Sequence, residues 1–137
     1  MDTGDILKVA PVEIGPEETS GELFQRISAL GAATLVEAVA GIAAGSAVRA
    51  PQDHEKATQA PPLTKELARF EFDRPAGALH NLIRGMNPWP AAYFEREGKK
   101  VKVLRSRVAA GSGAPGTVLA ARPLVVACAE GALELTE

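Results

Sequence analysis

A chain of 137 residues with 46% apolar composition can bury one modest core, or parts of two, but not that of a large two-domain enzyme. Its net charge of −2 is unevenly spread: residues 1–40 carry seven acids against two bases, and residues 95–107, EREGKKVKVLRSR, carry six bases against Glu95 and Glu97. No apolar run approaches the roughly twenty residues of a membrane span, and the acidic N-terminus lacks the pattern of a secretory signal. The lone Cys128, inside LVVACA, makes no internal disulfide and reads as a buried, inert thiol, so the chain reads as cytoplasmic.

DILKVAPVEI is an alternating, strand-like stretch. After it, Thr19 and Glu22 have the spacing of a capping box, and a helix is predicted to start near Ser20. Leu23, Ile27 and Leu30 share one face, Gly31 permits a break, and Leu35, Val36, Val39 and Ile42 continue a second stripe until Gly45 supplies a stop. Strand then helix suggests the edge of an α/β domain. Residues 46–63 are polar and proline-bearing without either period, hence a linker.

A second unit follows. Asp73 is a candidate cap for a helix with Pro75 in its first turn, on which Leu79, Leu82, Ile83 and Met86 recur at helical steps until Asn87 and Pro88 end it. Short β-type runs follow: AAYFERE, a turn at Glu97 and Gly98, KKVKVLRSRV, a Gly-rich loop, GTVLAA, PLVVACA, a turn at Glu130 and Gly131, and ALEL. Closely spaced strands after one helix suggest a small barrel.

The loop GSGAPG fits G-x-G-x-x-G literally, yet a dinucleotide site needs that loop to open a helix, and here TVLAA leads into a strand. His54, His80 and Cys128 have no partner at metal spacing; His54 falls in the linker and His80 on the polar side of its helix, so neither metal binding nor nucleophilic catalysis is indicated. The basic hairpin is the more interesting feature. Lysines and arginines exposed on a barrel can follow a phosphate backbone, while a merely solvated face is the competing reading. Tyr93 and Phe94 beside it either stack bases or fill the core.

DTGDIL, TSGELFQRISALGA, PLTKELARFEF and HNLIRGMNPWPAAYF, followed by KVKVLRSRV and APGTVL, closely resemble the methionyl-tRNA formyltransferase family over nearly the whole chain. Sugar-nucleotide formyltransferases, looser relatives, share part of the pattern. The resemblance implies an α/β plus β fold: residues 1–45 as the terminal part of a Rossmann-like catalytic domain (strand and helices), 46–63 as linker, and 64–137 as an incomplete OB-like tRNA-binding barrel. It implies formyl transfer from 10-formyltetrahydrofolate to the α-amine of initiator Met-tRNA, with no metal, no membrane and no obligate protein partner.

The same resemblance aligns Asp2 with the family's catalytic aspartate and Lys65 with a tRNA-facing position, and Lys99, Lys100, Lys102 and Arg105 of the basic hairpin are the further candidate tRNA-binding residues. Pro62 stands where the family usually has a further Lys. Asn87, Pro88, Trp89 and Pro90 form the structural NPWP corner, in which the prolines fix φ and the indole is expected to plug the barrel's end, with base stacking as the alternative. The family's Asn and His, on an NxHxSLLP-type stretch, are not in this sequence, so the chain is expected to bind tRNA rather than catalyse, as the distal piece of such an enzyme. A free-standing RNA-binding module and an inert, sticky fragment are the other two readings.

Overall fold

The computed structural model describes residues 3–137, and the expectation for Asp2 lies outside them. The chain divides into two compact units, residues 1–14 with 22–62 and residues 15–21 with 63–137.

The first unit is built on α1 (Ser20–Ala43), 24 residues long. Its end is set by local chemistry: Gly45 takes φ +69°, the Ser46 N–H donates to Gly41 O at 2.9 Å and the Gly45 N–H to Ile42 O at 3.1 Å, the paired bonds of a Schellman stop. Gly31 does not break the helix, because the roughly 1 kcal/mol that a glycine costs is outweighed by the Ala and Leu formers around it. Uninterrupted, α1 is long and apolar enough to cross a membrane by length and composition, which corrects the count made on apolar runs alone. It nonetheless carries charged side chains with partners: Glu37 forms an ion pair with Lys8, and Arg26 donates to Glu13 O at 3.2 Å. Residues 6–12 and α1 form an open apolar groove of about 580 Å³ lined by Ile6, Leu7, Val12, Ile27, Leu30 and Leu35. The strand expected over 5–14 does not form; it contributes one antiparallel bridge, Ile6 to Ala50, because a strand needs a neighbour along its length. Residues 54–56 make a short 3-10 turn in the expected linker.

The second unit packs α2 (Ala76–Gly85) on antiparallel strands. Asp73 does not cap α2; Pro75 occupies the cap position without a side-chain bond, and the Ala76 N–H is taken by Glu130 O at 2.9 Å. Six strands follow: β1 (Ala92–Arg96), β2 (Lys99–Val103), β3 (Ser106–Ala109), β4 (Val118–Ala121), β5 (Leu124–Ala127) and β6 (Ala132–Leu135). They form a β1–β2 hairpin and a four-stranded sheet ordered β3-β6-β5-β4, and no ladder among the described residues closes these into a barrel. The hairpin turns on Glu97 and Gly98, both at positive φ (52° and 73°), the pair a two-residue type I′ turn requires.

The core lies between α2, the sheet and the 68–72 segment: Leu79, Ile83, Phe70, Phe72, Val103, Val126, Cys128 and Leu133. Phe94 belongs to it, edge-on to Phe70 at 5.7 Å and to Phe72 at 5.2 Å. Cys128 is buried there, and burial pushes its thiol above the usual range, as the inert reading expects. In the Gly-rich loop, a Cβ on Gly111 would meet Leu119 Cδ1 at 2.6 Å, so this glycine serves close packing.

Candidate nucleic-acid interface

The hairpin sorts its basic residues by strand period. Lys102 lies opposite Tyr93 and Lys100 opposite Glu95, so these four share one face, while Lys99 is paired with Arg96 on the other. Lys100 reaches diagonally across the hairpin to hold its ammonium 4.5 Å from the Tyr93 ring centroid. The face is completed by a turn: Ala68 is fully buried and donates back to Lys65 O, and Tyr93 pairs with residues 68–70 through the Phe70 N–H to Tyr93 O and Tyr93 N–H to Ala68 O bonds, both 2.9 Å. Lys65, Tyr93, Lys100 and Lys102, with Pro90 and Ala91, thereby line one groove of about 220 Å³. Glu66 borders the lysines. Its carboxyl is held below the usual range by its own backbone N–H, then by Thr64, with Lys100 and Lys65 adding to the effect, so it stays anionic and offsets part of the positive charge.

Of the basic residues singled out from the sequence, the groove therefore gathers Lys65, Lys100 and Lys102. Lys99 faces the other side of the hairpin, and the period of two carried that signal. Arg105 lies in the turn after β2, its guanidinium 3.5 Å from the Glu137 carboxylate, and lines a different cavity.

That second cavity, about 90 Å³, brings Thr19, His80, Arg84, Arg105, Ser106 and Thr136 together. His80 was expected on the polar side of its helix; it is instead 7% exposed, because residues 15–21 cover it. Its Nε2 lies 3.0 Å from Pro16 O, which can only accept, so Nε2 carries a proton; in the neutral ring Nδ1 then accepts from the Ser106 hydroxyl at 3.2 Å. Arg84 donates to Gly15 O and Glu18 O at 2.8 and 3.1 Å. With Ser106 only 4% exposed, the Ser–His pair anchors a strap of backbone rather than attacking a substrate. No local sequence signal identifies it, since His80 lies 26 positions from Ser106 and 64 from Pro16 along the chain.

The NPWP corner is fastened at Asn87. Its carbonyl accepts from the Gly21 N–H at 3.0 Å and the Ser20 hydroxyl at 2.6 Å, and its Nδ2 donates to Leu104 O at 2.7 Å. Trp89, however, is no plug: it is 58% exposed. The core beneath it is closed by Met86, Ala91 and Ala92, and Ala91 bends back at φ +69° to donate to Met86 O at 2.9 Å, which leaves the indole outside. Trp89→Ala is accordingly expected to change unfolding free energy by less than about 1 kcal/mol, where a buried plug would cost about 3 or more. Urea unfolding followed by far-UV circular dichroism measures this, and a loss at the higher figure would return the ring to the core.

Residues 62–137 match the formyl transferase C-terminal domain family. The chain is 48% identical to the methionyl-tRNA formyltransferase of Solibacter usitatus over its whole length, and 44% identical to that of Pseudomonas entomophila over 99% of it. It spans about half the length of these relatives, 45% and 44%. HypX from Aquifex aeolicus, in complex with tetrahydrofolic acid, shares the fold over 98% of this chain and 24% of its own, with a TM-score of 0.72 at 18% identity. A variant of the same protein gives a TM-score of 0.70 over 96% of this chain. The chain therefore belongs to the formyltransferase family, corresponding to the distal part of its methionyl-tRNA formyltransferases and carrying their C-terminal domain.

Proposed function

We propose that this chain supplies the tRNA-holding part of a methionyl-tRNA formyltransferase, an enzyme that formylates the α-amine of initiator Met-tRNA with 10-formyltetrahydrofolate in the cytoplasm. The observation that carries the reading is the groove of Lys65, Lys100 and Lys102 beside Tyr93, three cations converging on one face of the C-terminal unit. The names of the relatives supply the substrate, and the folate bound by the structural neighbour supports the formyl donor. On this reading residues 1–45 complete a catalytic domain in which Asp2 acts, 46–63 link, and the strands of 64–137 compose an OB-like barrel. The exposed apolar side chains of α1, among them Val36, Val39 and Ile42, are then the surface on which the rest of that domain packs.

The groove predicts salt-dependent binding. Neutralising about three phosphates gives a slope of log K against log salt near −2 to −3. Lys100→Ala with Lys102→Ala is expected to flatten it by about one to two. Labelled initiator tRNA titrated at several salt concentrations decides the matter, and an unchanged slope in the double variant would remove the groove from the interface.

A further inference from the structure

We infer that Trp89 is a stacking platform for an unpaired base, so that the lysine groove takes a single-stranded stretch of RNA rather than a duplex. The inference rests on the RNA-binding reading of that groove.

The chain has one tryptophan, and it stands in solvent. An indole left wet forgoes the burial that so large an apolar ring gains in a core. Its mount is rigid: Pro88 and Pro90 fix φ on either side, Asn87 is tied through three hydrogen bonds, and the 86–91 loop is closed by the Ala91 to Met86 bond. A ring held this way loses little conformational freedom when a ligand covers it.

Location supports the same conclusion. Pro90, the next residue along the chain, lines the groove with Lys65, Lys100 and Lys102. Tyr93, the other aromatic ring of the groove, already holds the Lys100 ammonium over one face. Duplex bases have both faces covered by their neighbours, whereas unpaired ones are free to stack on protein rings.

The lone tryptophan is its own reporter. The 137-residue chain is titrated with a short single-stranded ribo-oligonucleotide and, separately, with a fully paired RNA of equal charge, reading intrinsic fluorescence and, with labelled copies, anisotropy. Indole emission is expected to quench along the anisotropy curve of the single strand. Trp89→Ala is expected to weaken single-strand binding roughly tenfold or more and to leave duplex binding within about twofold, while Trp89→Phe keeps most of the affinity. Binding without quenching, or an equal loss on both RNAs, overturns the stacking role and leaves the phosphate groove standing. Unchanged binding of both RNAs by Lys100→Ala with Lys102→Ala, or no binding by the wild type, overturns the groove and the stacking role together.

Discussion

Leu79→Ala is expected to lower the stability of the second unit by about 3 to 4 kcal/mol, a third or more of what a domain of this size has to lose. Leu79 is fully buried on the inner face of α2, which packs on β3 and β6, and Leu133 of β6 is equally buried in the same cluster. Truncation removes the transfer free energy of the lost carbons and opens a cavity that two antiparallel ladders, β3–β6 and β5–β6, hinder from collapsing. Leu133→Ala is expected to cost a similar amount. The double variant should depart from additivity, since both side chains line one cluster. Val36→Ala on the exposed stripe of α1 should stay within about 1 kcal/mol. Urea midpoints from far-UV circular dichroism, which reads the helices of both units, give the comparison. A Leu79→Ala loss no larger than that of Val36→Ala would show that α2 is not packed as described.

How far the sequence carries depends on how local each cause is. The start of α1 at Ser20, its stop at Gly45 and the Glu97–Gly98 hairpin are legible because cap and turn chemistry lies within a few residues. The run 99–108 reads as one strand, yet it changes sheet after Val103: β2 pairs with β1 and β3 with β6. Alternation marks a strand without naming its partner. Burial is less local still. His80 is covered by Pro16 and Trp89 is left bare by the bend at Ala91, and neither follows from the side chains adjoining them in sequence. For the groove, the alternation of Lys100 and Lys102 was legible, and the arrival of Lys65 beside them was not, because it depends on residues 68–70 pairing with β1.

The 137-residue chain by itself is expected to transfer no formyl group above background, even if it holds the tRNA. Attack of an α-amine on the formyl carbon builds negative charge on the carbonyl oxygen and positive charge on nitrogen. Donors for the oxyanion and an acceptor for the proton must therefore converge on one carbon. By the family resemblance an Asn and a His on an NxHxSLLP-type stretch do this beside the aspartate aligned with Asp2, and that stretch is not in this sequence. The histidines present are poor substitutes: both ring nitrogens of His80 are engaged, by Ser106 and Pro16, and His54 opens the 3-10 turn in the other unit. A lone carboxylate can orient a water or accept a proton, but it has no donor for the oxyanion. Groups of this kind act as a unit, so removing most of the set costs several powers of ten in rate, about four or more. The assay supplies 10-formyltetrahydrofolate and charged initiator tRNA to the purified chain and counts formyl-Met-tRNA. Multiple turnovers that vanish in Asp2→Ala would show that this chain carries a complete catalytic set and would overturn its assignment to tRNA binding.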